Sequence, residues 1–413
     1  MAEMAELAKK TRAWACYDCG KCTASCPIVR AGAAYSPRRH VLATNLGQRK
    51  ELIENGSLFV CLTCGLCDGR CPAQVEYTQL VQKLRELCYR QGVEPECPHG
   101  GALQSVMRMM ARGGTQQKRL EWLTPDLKTD PHKGEVFYWT GCTMYYDAFF
   151  GDKGALASAS RSAAGGLPGA SRSDAGALAG ASRSDWGINT LGGTRAAIRL
   201  LNRLDIVPVV CPQERCCGHD LLWNGDRASF EQLARHNVQL VAESGATTLV
   251  VSCAECLRTW KLDYAPFFNG PPPRILHISE LLVEKKANLK LKPNGPRRVT
   301  FQDPCRLGRH LGIYDPPRQA LAAVPGLDLV EMRRSGPRAL CCAGGTWSNC
   351  DRFAKQLQIE RLREARGTGA STLVTACPKC QVHLRCAMKD PKCGGEIEME
   401  MRDVAELVAD ALE

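Results

Sequence analysis

No run of about eighteen or more apolar residues occurs in this 413-residue chain, so nothing in the sequence reads as a membrane span. The opening residues, MAEMAELAKKTRAW, lack the apolar core of a secretory signal, and export is not expected. Aromatic residues are scarce, at 6%. The net charge of +11 comes without any nucleic-acid-binding motif, so no nucleic acid partner is expected. That charge reads as a solvated basic surface or, more sharply, as docking for an acidic electron-transfer partner or an anionic substrate. The glycine-rich fingerprint of dinucleotide sites is also missing, so neither flavin nor nicotinamide is assigned to this chain. The expected location is cytoplasmic, with a partner as the only link to the membrane face.

Cysteine, by contrast, is abundant, with 24 residues. Disulfide scaffolds belong to exported chains, so Cys-x-x-Cys groupings here point to metal or cluster ligation. Cys16, Cys19, Cys22 and Cys26-Pro27 form one run, and Cys61, Cys64, Cys67 and Cys71-Pro72 form another. Both have the spacing of the bacterial ferredoxin motif. Three thiolates in seven residues wrap three corners of one cubane, and the fourth points to the other cluster. Cys16, Cys19, Cys22 and Cys71 are assigned to one [4Fe–4S] cluster, and Cys61, Cys64, Cys67 and Cys26 to the second. Structural zinc sites use two Cys-x-x-Cys units across a longer gap, which does not match.

A different cysteine pattern occurs twice further on. Its first copy is Cys142, Cys216-Cys217 and Cys253-x-x-Cys256; its second is Cys305, Cys341-Cys342 and Cys377-x-x-Cys380. The double cysteines are 125 residues apart, and Cys253 lies 124 residues before Cys377. Four thiolates close one cubane, so five, two of them adjacent, suit a cluster of another kind. An idle member in each pair and zinc in one set stay open as alternatives.

The copies differ in length between the lone cysteine and the pair. The tetrapeptide Ala-Ser-Arg-Ser begins at residues 159, 170 and 181. Around it, residues 152–186 have no apolar stripe and are expected to form a flexible insert. Without it the two copies become commensurate.

The remaining pattern sets the domains. Residues 1–92 read as a helical ferredoxin domain, with a helix opened by Ser36-Pro37 and another over YTQLVQKLRELCYRQG. Residues 93–134 form a connector holding a helix over ALQSVMRMMARG, with Met107, Met109 and Met110 as core filler. Strand-like and helix-like segments then alternate in 135–290 and 297–413. EVFYWTG, IVPVV, TTLVVSC, RILHIS, VTFQDPC, LDLVEM and STLVTAC read as the strands. The fold class is therefore multidomain: an all-α ferredoxin domain, then two similar α/β domains with mostly parallel sheets. Such sheets present ligands at the carboxyl ends of their strands, where Cys142, Cys253, Cys305 and Cys377 fall. Arg306, Arg309, His310 and His219 are read first as packing around these sites, and second as anion or proton handling. Cys88, Cys97, Cys211, Cys350, Cys386 and Cys393 read as spare or buried thiols.

The lone Cys, Cys-Cys-Gly and Cys-x-x-Cys series, present twice behind a ferredoxin domain, resembles the D-type subunit of heterodisulfide reductases. It is also similar to the iron–sulfur subunits of glycolate and glycerol-3-phosphate dehydrogenases. The resemblance implies two noncubane [4Fe–4S] clusters beside the two cubanes. Their ligands would be Cys142, Cys216, Cys217, Cys253 and Cys256, and Cys305, Cys341, Cys342, Cys377 and Cys380. It implies an oxidoreductase that passes single electrons to a thiol or disulfide substrate. The alternative is a relay component of a flavin dehydrogenase complex, delivering electrons to quinone or a membrane cytochrome. Either way it implies a redox partner protein, a flavoprotein or a cytochrome b type protein. Two departures stand out: Ala343 follows the second pair where glycine is usual, and the insert lies beside Cys142.

Overall fold

The computed structural model describes residues 2–151 and 188–413, apart from 55, 98, 115, 294 and 296. The 152–186 insert and its expected flexibility lie outside the described residues.

Residues 2–112 form helices and short 3₁₀ turns, with no strand among the described residues. The Ser36 hydroxyl accepts the Arg39 N–H, and Pro37 opens the helix Pro37–Asn45, the cap and first-turn proline that the sequence predicts. The helix Tyr77–Arg90 buries Leu80, Val81, Leu84, Leu87 and Cys88. Each buried leucine there contributes about 1.5–3 kcal/mol. Arg85, on the same helix, is fully buried. Its guanidinium donates to the carbonyls of Leu58 and Cys61, and across to that of Trp223. Gly225 makes this junction possible: a Cβ there would lie 2.3 Å from the Arg85 carbonyl oxygen. The connector helix is Ala102–Arg112. Met107 and Met110 are buried as expected, but Met109 is 52% exposed and fills no core.

Beyond the connector, two sheets repeat one plan. Strands β1 (Val136–Trp139), β2 (Thr248–Val251) and β3 (Arg274–His277) lie in that order and are parallel. Strands β4 (Arg297–Gln302), β5 (Leu327–Leu329), β6 (Thr372–Thr375) and β7 (Glu400–Asp403) form a parallel sheet ordered β5-β4-β6-β7. The correspondence extends past the cysteines. His277 ends β3 and Asp403 ends β7, and each closes a capping box, with Glu280 and Glu406 respectively. They are 126 residues apart, which continues the cysteine spacing.

Two strand expectations change. IVPVV is not a strand; only Val209 bridges, to Phe137 and Asp130. Pro208 has no N–H to donate, so pairing does not spread to its side. The strand β7 was not foreseen. Its sequence, Glu-Met-Arg-Asp, is short and mostly charged, and it sits on the sheet edge where charge is tolerated.

The two α/β regions also press together. The helix Thr190–Arg203 packs on the helix Val404–Asp410. A Cβ on Gly193 would come within 2.9 Å of Asp403, so glycine lets the backbones approach. A single apolar cluster runs from the helical region through both sheets, so the cysteine loops sit where three packed bodies meet.

Candidate metal centres

Each cysteine group converges on its own cavity. Cys142, Cys216, Cys217, Cys253 and Cys256 line one of about 310 Å³. Cys305, Cys341, Cys342, Cys377 and Cys380 line another of about 340 Å³. The strands bring them there: Cys253 and Cys377 follow the carboxyl ends of β2 and β6, while Cys142 and Cys305 follow β1 and β4. Equivalent thiols make equivalent contacts. Cys256 Sγ donates to Cys217 Sγ at 3.5 Å, and Cys380 Sγ donates to Cys342 Sγ at 3.2 Å.

The ferredoxin runs behave similarly. Cys16, Cys19, Cys22 and Cys71 line a cavity of about 440 Å³. Cys26, Cys61, Cys64 and Cys67 line one of about 310 Å³. Cys67 touches both. Backbone N–H groups also point at sulfurs. Asp18 donates to Cys16, Thr63 to Cys61, Val75 to Cys71 and Gly218 to Cys216, at 3.3–3.4 Å. Asp18 and Thr63 occupy the same place in their loops, two residues past the first cysteine, and both have positive φ, 54° and 48°. Convergent thiols with N–H···S donors fit an iron–sulfur centre, whose potential such donors tune.

The four cavities lie in series. Leu62 of the second ferredoxin loop lines both the second ferredoxin cavity and the second five-Cys cavity, and the neighbouring Cys64 thiol is lowered to about 5 by Cys341 against burial, with Arg309 helping. Glu255 lines both five-Cys cavities, and between them the Cys253 thiol is lowered to about 6 by Cys256 and by Cys377 of the other α/β region, against burial. The second five-Cys group therefore stands between the ferredoxin loops and the first five-Cys group.

A buried charge cluster fills the seam between the five-Cys cavities. Glu255 lines both of them. Lys379 Nζ donates to Glu255 Oε2 at 2.9 Å and also contacts Asp220. Burial works against the lysine charge, but Asp220 and Glu255 outweigh it and hold the ammonium above its usual pKa. Burial pushes Glu255 well above the usual carboxyl range, against the pull of Lys379. Burial also drives His219 well below its usual value, so its ring is neutral. Arg306 Nε donates to His219 Nε2 at 3.0 Å, which leaves the ring proton on Nδ1, 3.2 Å from Asp220 Oδ1. His219, Asp220 and Glu255 could together hold a cation, and Lys379 supplies it.

Arg306 also reaches the ferredoxin loop. Nη1 donates to the Thr63 carbonyl at 2.6 Å and Nη2 to the Thr63 hydroxyl at 2.7 Å, while the guanidinium lies 4.1 Å from the Trp223 ring centre. Arg309 Nε donates to the Cys64 carbonyl at 2.6 Å. His310 Nε2 is 3.0 Å from the Thr63 carbonyl. These three residues and His219 thus pack around the cavities and tie their loops together. Of the remaining thiols, Cys97 bonds Gln104, Cys211 bonds Gln213, Cys386 lies 3.4 Å from Lys355 Nζ and Cys350 lies 4.0 Å from His99. Cys88 is buried in its helix, Cys393 is partly buried, and none of the six lines a five-Cys or ferredoxin cavity.

Comparison with known proteins follows the same division. The CCG cysteine-rich domain matches residues 190–261 and 299–385, and a 4Fe-4S dicluster domain matches residues 15–76. The D-type subunit of dihydromethanophenazine:CoB–CoM heterodisulfide reductase from Methanosarcina mazei is 30% identical over 306 residues, 72% of this chain and 63% of its own length. Over that span the chain is similar to the heterodisulfide reductase D-type subunit. It spans somewhat less than two thirds of the length of these relatives. Two further relatives are the B-type subunit of the CoM/CoB fumarate reductase of Methanothermobacter marburgensis and the EtfAB:quinone oxidoreductase of Syntrophomonas wolfei. The first is 31% identical, covering 52% of this chain and 42% of its own; the second is 28% identical, covering 53% and 32%. With a 4Fe-4S dicluster domain and two CCG cysteine-rich regions, the chain is accordingly an iron–sulfur protein with several [4Fe–4S] clusters.

Five residues around the sites were not singled out from sequence: Asp220, Glu255, Lys379, Arg119 and Glu214. Glu255 and Lys379 sit at the same offset inside their Cys-x-x-Cys turns, a signal present once the two copies are aligned. Arg119 and Glu214 had none. Both are fully buried, 2.6 Å apart, and Glu214 accepts N–H groups from Thr140 and Gly141. That pair fixes the loop leading to Cys142 against the loop leading to Cys216. Among the described residues no helix is long and apolar enough to cross a membrane.

Proposed function

We propose that this chain is the cluster-bearing catalytic part of an oxidoreductase that reduces or forms a disulfide. The four cluster sites are held by the cysteine groups that line the four cavities. The observation that carries the reading is that Glu255 lines both five-thiol cavities, which sets them side by side. Bound there, clusters supply single electrons, and two neighbouring sites match the two electrons that one disulfide takes up. The chain's own residues hold the geometry. Arg306 and Arg309 fix the second ferredoxin loop against Cys305. Lys379, Asp220 and Glu255 close the seam and keep water out of it. Leu62, which lines both the second ferredoxin cavity and the second five-Cys cavity, supports a route from the ferredoxin sites through the second five-Cys site to the first.

In this reading residues 1–92 are an all-helical ferredoxin domain, and 135–290 and 297–413 are the two cysteine-rich domains. The chain works with a redox partner protein, of flavoprotein or cytochrome b type, at the cytoplasmic side. A second reading, an electron relay in a flavin-dependent complex, is favoured by the similarity to a protein named EtfAB:quinone oxidoreductase.

Anaerobic reconstitution with iron counting separates these. About sixteen irons per chain, with a paramagnetic signal that depends on added thiol, is expected for disulfide chemistry. About sixteen irons with no response to thiol supports the relay. About eight irons plus bound zinc overturns the four-cluster assignment.

A further inference from the structure

Of the 24 cysteines, Cys19 alone is exposed. Every other member of the four groups is buried or partly so, and the first ferredoxin site therefore presents the most exposed thiol of the series. The two most exposed large apolar side chains among the described residues stand beside it: Tyr17, 72% exposed, and Trp14, 66% exposed. Tyr17, Lys21 and Arg38 line the same cavity as Cys19. The patch continues along the helix Pro37–Asn45. Leu42 is exposed there, Leu46 is exposed just past its end, and Asn45 donates to the Ala13 carbonyl beside Trp14.

The net charge on this face is positive. Residues 1–48 hold seven lysines and arginines and three carboxylates. All three carboxylates are already paired: Glu3 with Arg90, Glu6 with Lys10 and Asp18 with Arg38. Among the described residues Arg12 and Lys21 form no ion pair. Exposed Trp and Tyr ringed by unpaired basic residues have the composition of a protein-binding surface, with an aromatic centre and a charged rim.

We propose that the face formed by Arg12, Trp14, Tyr17, Cys19, Lys21 and Arg38 docks an acidic, one-electron carrier protein. The inference rests on the ferredoxin-type assignment of Cys16, Cys19, Cys22 and Cys71. The occupant must bring a redox group to Cys19, which a lipid surface lacks, and the unpaired cations select an acidic one. One electron leaves the carrier and one is gained at the first ferredoxin site, with no proton transferred. Rim charges of this kind act mainly on the association rate, which makes it fall with salt.

The test is stopped-flow electron transfer from a reduced, acidic [2Fe–2S] ferredoxin to the reconstituted full-length chain. The second-order rate is expected to fall about tenfold between low and high ionic strength. Arg12→Glu with Lys21→Glu is expected to slow it about tenfold at low salt. Trp14→Ser with Tyr17→Ser is expected to slow it at every salt concentration. Iron content and bleaching by dithionite check that each variant is loaded; if a variant is not, the salt dependence of the unaltered chain decides. A rate indifferent to salt and to both double variants overturns the proposal. So does binding to phosphatidylglycerol vesicles without binding to the carrier. Carrier oxidation with no reduction of an added disulfide leaves the docking face standing and removes the disulfide chemistry. Disulfide reduction driven by dithionite but not by the carrier does the reverse.

Discussion

Glu255 and Lys379 occupy the same position in the two Cys-x-x-Cys turns, and their side chains meet across the seam, 2.9 Å from Nζ to Oε2. A duplicated sequence has thus placed opposite chemistry at one equivalent site. Two identical copies would have set like against like there.

Replacing Lys379 by methionine leaves Asp220 buried without its cation. Breaking a buried pair from one side is expected to cost about 3 kcal/mol of folding stability. Adding Asp220→Asn removes the orphaned charge and is expected to recover most of that loss. Urea unfolding of the cluster-free chain measures both. A loss under about 1 kcal/mol for Lys379→Met argues that water reaches the seam.

Arg306 is expected not to tolerate lysine. A lysine keeps the charge but cannot reach Thr63 O, Thr63 Oγ1 and His219 together from one planar fork. A loss of about 2–4 kcal/mol is expected, with slower electron transfer from the ferredoxin clusters to the second five-Cys site. Wild-type stability and wild-type transfer in Arg306→Lys speak against its role as a tie.

The residues after the double cysteines make an asymmetric pair. Gly218 has φ 73° and Ala343 has φ 57°, so an alanine adopts here the left-handed backbone that favours glycine. Gly218→Ala adds that strain, about 1–2 kcal/mol, and sets a Cβ 3.0 Å from Phe230. Ala343→Gly relieves strain but loses a buried methyl and adds unfolded-state entropy, so it is expected to stay within about 0.5 kcal/mol of the parent. Thermal unfolding of the two variants compares them, and equal effects would refute the asymmetry.

His40 gives the cleanest pH effect. Burial pushes it down to about 4, and its ring nitrogens lie 2.7 Å from the Tyr77 hydroxyl and 2.8 Å from Ser57 Oγ. With the unfolded value near 6.5, its neutral form is favoured in the fold. The unfolded chain binds the proton first, so His40's effect on stability is neutral above about pH 6.5 and turns against the fold as pH falls towards 4. The stability difference between the parent and His40→Asn is expected to shrink by about 2 kcal/mol between about pH 7.5 and pH 5.0. A difference that does not vary with pH excludes the effect.

Cys341→Ser is expected to lower the iron content by about four per chain and to leave the ferredoxin signals in place. Iron analysis with EPR reads both. Unchanged iron removes Cys341 from the ligand set.

Much of the fold was legible because its signals are local. The Ser36-Pro37 cap, the amphipathic helix Tyr77–Arg90 and the apolar strands before Cys253 and Cys377 each depend on a few adjacent residues. IVPVV failed because its one proline decides pairing with a neighbour strand, and β7 was missed because edge strands need little apolar pattern. Met109 shows the limit of composition: helical spacing turns it outward while Met107 and Met110 face in.

The cysteine spacings by themselves suggested four thiol groups: in the ferredoxin runs a tight loop can bring only near neighbours, plus one distant partner, to a single centre, and the two sets of five were marked by the repetition of one pattern. Their order in space was not determined. That Leu62 is shared by the second ferredoxin and second five-Cys cavities, that Glu255 is shared by the two five-Cys cavities, and that Cys19 is the one fully exposed cysteine depend on how three bodies pack. Packing is set by contacts between residues far apart in the chain, such as Arg306 with Thr63 and Arg85 with Trp223. Sequence spacing does not encode such contacts, and only the tertiary structure could supply them.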